Sequence, residues 1–103
     1  SGRMSDIKAI KMWRKLHNLA FPSFYLELSV IVALKGTGLL GSSPANNFVK
    51  VMNYLVNDFE NKVINDPSNQ NNEVSDELTP AEKQRIKNLA TTTLAGAWNQ
   101  AIW

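Results

Sequence analysis

The chain contains no cysteine among its 103 residues, and its one histidine is His17. Without cysteine there can be no disulfide framework and no thiolate metal site, so we expect a reducing, cytoplasmic setting. A single histidine with no neighbouring cluster of carboxylates argues against a zinc site and against a histidine-based catalytic triad. We therefore expect His17 to be structural or exposed, and we predict no catalytic residue and no metal ligand in this chain.

Long hydrophobic runs and phosphate-binding loops are also missing. The longest apolar run covers residues 24 to 34, and it contains Glu27. A membrane-spanning helix needs ~20 apolar residues, so we predict no membrane contact. The one glycine-rich stretch, KGTGLLG, has neither the preceding strand nor the following lysine of a phosphate loop, and we interpret it as a turn.

The composition is that of one small globular domain. Hydrophobic residues make up 44% of the chain and charged residues 19%, which is enough apolar surface for a modest core. The opening SGRM reads like a cloning remnant followed by a start residue. We assign residues 1–3 to that remnant and residues 4–103 to one helical domain.

Charge is distributed unevenly along a chain whose formal net charge is +2. Residues 3 to 15 are basic, because they carry Arg3, Lys8, Lys11, Arg14 and Lys15 against Asp6 alone. Acidic residues gather later, at Asp58, Glu60, Asp66, Glu73, Asp76, Glu77 and Glu82. This arrangement favours a local anion site over an extended nucleic-acid footprint.

The first helix is predicted over residues 5 to 19, with Ser5 as its N-cap. One face of this segment is apolar and should face the core, with Ala9, Ile10, Met12, Trp13, Leu16 and Leu19. Lys8, Lys11 and Lys15 recur on the opposite face. The pattern predicts a buried Trp13 beneath an exposed lysine stripe.

The second helix is predicted from Phe24 to Leu34, after a break at Pro22. Ser23 can cap it, and Lys35 with Gly36 suits its end. Periodicity cannot separate a buried helix from a buried strand here, but the length and the helical flanks favour a central helix enclosed on most sides. Glu27 then needs a cation or hydrogen-bond donors as partner, and Lys11 is one candidate.

Two further helices and a polar loop complete the predicted organisation. Ser43 and Pro44 open a third helix that continues toward Ile64, with Phe48, Met52, Leu55 and Phe59 at helical spacing. Residues 65 to 78 are predicted to form a loop with an Asx turn at Asp66, anchored on the core by Val74. Thr79 and Glu82 form a capping box for the last helix, with Pro80 at its first position. The fold class predicted is all-α, an irregular bundle of four or more helices.

One combination of residues is typical of a binding site. A helix start that carries Ser23 offers unsatisfied N–H groups and a partial positive charge, and Lys11 adds a mobile cation, which together suit a phosphate. Phe24 or Tyr25 beside that start could stack on a nucleobase. The alternative is structural: a solvated lysine face, a helix cap and two core aromatics. If Glu27 forms an ion pair with Lys11, the lysine is less available to phosphate.

Three stretches of the chain stand out together: IKMWRKLH, FPSFYLELSVIVALKG and VINDPSNQNNEVSDELTPAEKQRI. They resemble the C-terminal helical domain of nucleotidyltransferases related to 2′-5′-oligoadenylate synthetase, cyclic GMP-AMP synthase and the bacterial antiviral cyclic-oligonucleotide synthases. The most specific pieces are the K-x-W of the first helix, the S-F-Y-L-E that enters the second, and the NDP…NNEVSDELT loop. The resemblance covers nearly the whole chain from Ile7 onward.

The resemblance implies the substrate-side lobe of a two-lobed enzyme that makes phosphodiester bonds from nucleoside triphosphates. It implies that Lys11 contacts the donor triphosphate, that Ser23 meets phosphate oxygens, and that Phe24 stacks on the base. Phe24 stands where Tyr is frequent in the family, so Tyr25 could share or replace its role. The catalytic lobe, with its Gly-Ser motif and the carboxylates that hold Mg²⁺ or Mn²⁺, would precede this sequence. The helical lobe by itself would be inactive.

Two other functions stay open at this point. The chain could be a stand-alone helical module that binds protein in a groove beside Trp13, Trp98 and Trp103. It could also bind nucleic acid directly through Lys8, Lys11, Arg14 and Lys15. As a lobe, it would expose the apolar face that its partner lobe covers, and could self-associate through that face.

Overall fold

A computed structural model describes residues 3–35 and 44–98 of the chain. These residues form four α-helices, Arg3–Leu16 (α1), Ser23–Ala33 (α2), Pro44–Asn57 (α3) and Pro80–Trp98 (α4). Two short 3₁₀ helices, Phe59–Asn61 and Val74–Glu77, and two strands, Asn65–Asp66 (β1) and Asn69–Glu73 (β2), lie between α3 and α4. The predicted all-α bundle of four or more helices is confirmed. None of the helices in these two ranges has the length and apolar character needed to cross a bilayer.

The core is built around four aromatic rings, those of Phe21, Tyr25, Tyr54 and Phe59, which we call the aromatic cluster. The Phe59 ring lies 5.3 Å from Phe21, 5.2 Å from Tyr25 and 6.4 Å from Tyr54, measured between ring centroids. Such pairs contribute about 0.5–1.5 kcal/mol each beyond the apolar area that they bury. The cluster therefore joins the segment before α2, α2 itself, α3 and the first 3₁₀ helix.

The first helix is shifted toward the N-terminus relative to its prediction. It begins at Arg3, so Ser5 lies inside the helix and is not its N-cap. It ends at Leu16 because Asn18 adopts a left-handed backbone conformation, with φ of 52°. The Leu19 N–H then bonds the Arg14 carbonyl at 3.1 Å, and the Asn18 N–H bonds the Lys15 carbonyl at 3.2 Å. This is a Schellman motif, in which asparagine replaces the usual glycine.

The apolar face of α1 is only partly covered. Trp13 is buried as predicted, and so are Ile10 and Leu19. Met12 and Leu16, which the pattern also assigned to the core, are exposed to 66% and 75%. The bundle covers a narrower arc of α1 than the hydrophobic pattern spans, because α1 packs mainly against α2 and α3.

The second helix is confirmed, but its predicted enclosure is wrong. Tyr25, Leu26, Ser29 and Val30 face the core. On the opposite side Phe24 is 44% exposed and Ile31 is 46% exposed, because no described element covers that face. Its predicted end at Lys35 lies close to the observed C-cap, Leu34, while Gly36 lies outside the described residues.

The third helix is shorter than predicted. It begins at Pro44 as expected, whereas Ser43 lies outside the described residues, and it ends at Asn57 rather than near Ile64. The chain then tightens into the 3₁₀ helix, which turns Phe59 into the aromatic cluster. Met52 and Leu55 are buried as predicted, and Phe48 is partly buried.

The predicted loop between α3 and α4 is a polar β-hairpin. Strands β1 and β2 pair antiparallel, with Asn65 opposite Glu73 and Asp66 opposite Asn69. The predicted Asx turn is confirmed, since the Ser68 N–H donates to Asp66 Oδ1 at 2.9 Å. Val74 is fully buried, which confirms its predicted role as the anchor of this segment. The prediction missed the strands because a run of Asn, Gln and Glu has low strand propensity.

The last helix begins as predicted. The Thr79 N–H donates to Glu82 Oε1 at 2.8 Å, and the Glu82 N–H donates to Thr79 Oγ1 at 3.2 Å, which is a complete capping box. Ile86 and Ala90 are buried, and Leu89 and Leu94 pack against the core from its margin. The side chains of Ala97 and Trp98 lie outside the described set.

The capping box yields a matched pair of substitutions. Thr79→Ala should lower the free energy of unfolding by about 1 kcal/mol, because the Glu82 N–H loses the Thr79 hydroxyl that accepts its hydrogen bond. Thr91→Ala should change it much less, because Thr91 is exposed in the middle of α4 and its hydroxyl bonds only the Lys87 carbonyl, at 2.9 Å. Urea unfolding of both variants checks this. Equal losses would mean that the box contributes nothing.

The buried tyrosines predict an alkaline limit of stability. The pKa of Tyr54 is raised to about 12, mainly by burial and to a smaller extent by the Asp58 carboxylate. Burial, followed by Tyr54 and Asp76, also raises the pKa of Tyr25. Both phenols have pKa values of ~10 in the unfolded chain, so stability should fall as the pH rises through that value toward 12.

Tyrosinate absorbance, recorded together with circular dichroism during an alkaline titration, checks this expectation. Tyr54 should ionise only as the helices unfold, and Tyr54→Phe should move the unfolding midpoint to higher pH. Ionisation of every tyrosine at the ordinary pKa with the helices intact would contradict it.

Candidate functional site

The side of α1 that faces the start of α2 brings the predicted site residues together. Arg14, which the phosphate prediction did not include, holds this junction: its Nη1 donates to the Phe21 carbonyl at 2.8 Å and to Ser23 Oγ at 3.0 Å. We call the surface formed by Lys11, Arg14, Ser23 and Phe24 the α1–α2 edge. The structure thus places two cations beside the start of α2.

Ser23 does not cap its helix, contrary to the prediction. Pro22 occupies the N-cap position and makes no side-chain capping bond, while its carbonyl accepts the Leu26 N–H at 2.9 Å. Ser23 is the first helical residue, and its hydroxyl oxygen accepts from Arg14 instead. The backbone N–H groups of the first turn have no acceptor within the helix and carry a partial positive charge.

Lys11 and Glu27 form the predicted ion pair. Lys11 Nζ lies 2.8 Å from Glu27 Oε2, which confirms the proposed partner of Glu27. The side chains are exposed to 34% and 37%, so Glu27 is not the buried carboxylate that its apolar surroundings suggested. Because Glu27 occupies Lys11 in this structure, an anion would have to compete for the lysine.

Phe24 and Tyr25 are in opposite environments. Phe24 is 44% exposed at the α1–α2 edge. Tyr25 is fully buried, and its ring packs edge-on against Phe21, with centroids 5.6 Å apart, within the aromatic cluster. Successive helical residues point about 100° apart, so Tyr25 faces the core while Phe24 faces solvent. Because Tyr25 is fully buried, its ring has no face open to a base. The suggestion that Tyr25 shares the stacking role is therefore wrong for this conformation.

A shallow basic depression adjoins the edge along α1. It has a volume of about 580 Å³ and is lined by Lys8, Lys11, Met12, Arg14, Lys15, Asn18 and Leu19. No carboxylate belongs to this lining. The predicted lysine stripe is therefore a continuous cationic surface, which includes Arg14.

Two other concave regions lie away from the edge. A polar cleft of about 660 Å³ between α2 and α3 is lined by residues that include Lys50, Tyr54, Asp58 and Lys62. An apolar groove of about 430 Å³ lies between α1 and α4, beside Trp13. In residues 3–35 and 44–98, no three His, Asp or Glu side chains are grouped so that they could hold a metal ion.

His17 takes a structural position at the end of α1. Its ring is exposed and meets the Trp13 ring edge-on, with centroids 5.9 Å apart. This agrees with the expectation that His17 is structural or exposed. The spacing in the sequence could have added Arg14 to the site. Arg14 lies three residues after Lys11, and residues three apart on a helix share a face.

The strength of the Lys11–Glu27 pair is testable by a double-mutant cycle with Lys11→Met and Glu27→Gln. We expect a coupling energy below about 1 kcal/mol, because both side chains are well solvated. Added salt should reduce it further. The Lys87–Glu60 pair, at 3.6 Å and similarly exposed, serves as the reference cycle. A coupling of several kcal/mol that is insensitive to salt would mean that Glu27 holds Lys11 permanently.

The chain matches no family model, no curated protein and no solved structure. The resemblance to nucleotidyltransferases therefore depends on the residues of the sequence itself. What that resemblance implies about activity stays a prediction.

Proposed function

We propose that the chain is the helical lobe of a nucleotidyltransferase similar to oligoadenylate synthetase and cyclic GMP-AMP synthase, and that it binds a nucleoside triphosphate at the α1–α2 edge. The lobe itself is not catalytic. Phosphodiester synthesis, linear or cyclic, would require a second lobe that holds Mg²⁺ or Mn²⁺. The described residues of this chain supply binding groups and no cluster suited to such an ion.

The observation that carries the proposal is the bond from Arg14 to Ser23 at the start of α2. It places a guanidinium 3.0 Å from the hydroxyl of the first helical residue. The unsatisfied N–H groups in the first turn of α2 and the nearby ammonium group of Lys11 can bind the same anion. Phosphate oxygens can accept from all of these donors, whereas a neutral ligand would gain little from the positive charge of Lys11 and Arg14.

Competition with Glu27 does not prevent this role. A partly exposed ion pair contributes about 0.2–1 kcal/mol, while a hydrogen bond to a charged group contributes about 1.5–3 kcal/mol. A triphosphate carries several negative charges against the single charge of Glu27. Lys11 can therefore leave Glu27 for the ligand, and Glu27 holds the lysine in place until then.

Phe24 supports a base next to the phosphates. It directly follows Ser23 and keeps an exposed ring, although an exposed aromatic is costly to hydrate. Stacking of a base on an aromatic ring contributes about 1–3 kcal/mol. The exposed phenylalanine thus fits a ligand that has both an anionic and a planar aromatic part.

Titration with ATP, followed through backbone amide NMR signals, tests the proposal. We expect millimolar affinity, since one lobe holds half of a site, with the largest shifts at Lys11, Arg14, Ser23 and Phe24. Lys11→Ala should weaken ATP binding about tenfold, the equivalent of roughly one charged hydrogen bond. Adenosine, which lacks the phosphates, should bind far more weakly.

The control substitution is Lys50→Ala, which removes an exposed lysine from α3. It changes the net charge as Lys11→Ala does, and it should leave ATP affinity unchanged. Shifts centred on the cleft at Lys50 and Lys62, or an unchanged affinity in Lys11→Ala, would remove the α1–α2 edge from the proposal. Circular dichroism confirms that each variant retains its helices.

A second candidate function is a protein-interaction module, and the apolar groove beside Trp13 is the observation that favours it. Direct binding of nucleic acid through Lys8, Lys11, Arg14 and Lys15 is a third hypothesis. It predicts that affinity for duplex DNA or RNA falls steeply as salt increases, because phosphate contacts release counterions. An affinity that barely changes with salt would contradict the nucleic-acid hypothesis.

A further inference from the structure

The apolar groove between α1 and α4 is distinct from the α1–α2 edge. Its α1 wall includes Met12, Trp13 and Leu16, and its α4 wall includes Leu89, Thr92 and Gly96. Phe48 of α3 also contributes to the lining. The volume is about 430 Å³, and most of the lining residues are apolar.

One hydrogen bond sets the separation of the two walls. Trp13 Nε1 donates to Thr93 Oγ1 at 2.9 Å, which joins α1 to α4 along the groove. Thr93 also donates its hydroxyl to the Leu89 carbonyl, at 2.9 Å. The buried Trp13 and its partner Thr93 thus form the base of the groove, while Met12 and Leu16 beside them are exposed to solvent.

The exposed apolar residues of this region are contiguous rather than scattered. Met12 and Leu16 lie one helical turn apart on α1 and are the two most exposed large apolar residues of the described chain, at 66% and 75%. A single exposed leucine is ordinary, but a continuous apolar surface around a concave groove is typical of an interaction site. The hydrophobic pattern of α1 assigned both residues to the core, which suggests that another molecule completes their burial.

The surroundings of the groove are cationic. Lys8 and Lys15 flank Met12 in the basic depression on the α1 side. Arg85 lies on the α4 side, in a depression that shares His17, Leu89 and Thr92 with the groove. Among the described residues none of these three cations takes part in an ion pair. Asp6, which shares a small cavity with Ala9 and Phe48 of the groove, is buried and accepts from Asn47 Nδ2 at 3.2 Å.

We propose that this groove binds an acidic amphipathic helix from a partner protein. The α4 wall from Leu89 to Gly96 extends over ~10 Å, about two helical turns, which matches apolar anchors at positions i, i+3 or i+4, and i+7 of a docked helix. Acidic side chains on both margins of that helix would meet Lys8 and Lys15 on one side and Arg85 on the other. The inference does not depend on nucleotide binding at the α1–α2 edge.

The probe is a designed, dye-labelled helical peptide of about 18 residues, roughly five turns, with leucines at the anchor spacing and glutamates on both margins. Two matched peptides accompany it, a scrambled sequence of the same composition and a version with lysine in place of glutamate. Fluorescence anisotropy with the full chain should show micromolar binding of the acidic peptide. The two matched peptides should bind at least ~10-fold more weakly, and salt should weaken the acidic peptide.

Leu16→Asp and Arg85→Glu test the two parts of the groove. Each should reduce affinity for the acidic peptide at least ~10-fold. Leu16→Asp puts a carboxylate on the apolar wall, and Arg85→Glu reverses a charge at the margin of the groove. Their matched controls are Val63→Asp, at an exposed apolar residue outside the groove, and Lys50→Glu on α3. Both controls should bind the peptide as the unmodified chain does.

Four outcomes would overturn the proposal. Equal binding of the acidic and lysine peptides would remove the charge argument, and unchanged binding in Leu16→Asp would place the peptide elsewhere. A dimer in analytical ultracentrifugation that Leu16→Asp converts to monomer would make the groove a self-association interface. Binding to anionic phosphatidylserine vesicles that Leu16→Asp abolishes, with no peptide binding, would make it a lipid surface.

Discussion

The packing of Phe59 into the aromatic cluster is the constraint on which the rest of the structure depends. Its ring contacts Phe21 before α2, Tyr25 within α2 and Tyr54 on α3. Since Phe21 immediately precedes Pro22, the same packing fixes where α2 begins. The carbonyl of Phe21 accepts a hydrogen bond from Arg14, so the position of the Arg14 guanidinium at the surface depends on the packing of Phe21 in the core.

Arg14 connects the stability of the bundle with its proposed function. One nitrogen of its guanidinium bonds both Phe21, which belongs to the core, and Ser23, which belongs to the edge. A guanidinium held in this way loses little additional side-chain entropy when it meets a phosphate. The pair of Lys11 and Glu27 beside it is weaker, and it is the part of the edge that can rearrange when an anion arrives.

Helix α1 has two flanks, one for each proposed binding function, and they share one buried seam. Ile10 and Trp13 hold the helix in the bundle. Lys11 and Arg14 lie on the flank toward α2, while Met12 and Leu16 lie on the flank toward α4. Lys8 and Lys15 lie between those flanks, so their positive charge contributes to both surfaces. A helix that packs through a narrow seam can therefore present the proposed anion site and the apolar groove at the same time.

The sequence by itself determined the helical architecture and its local signals. Helical spacing predicted all four helices, and the capping box at Thr79 and the Asx turn at Asp66 were found from nearest neighbours, because such motifs close within a few residues. The pairing of Glu27 with Lys11 was also predicted, from the need of a carboxylate in an apolar segment for a partner. The hairpin was missed, because its polar strands depend on the anchor at Val74 and not on their own propensity.

Only the tertiary structure decided which residues of each pattern face solvent. Phe24 and Tyr25 are adjacent aromatic residues, and Met12 belongs to the same apolar arc as Trp13, so composition and periodicity cannot rank them. The bundle covers one side of each helix, and its aromatic cluster takes Tyr25 inward while Phe24 stays outside. Burial is a property of the packed assembly of helices, because the area that a neighbour covers depends on crossing geometry that no single segment encodes.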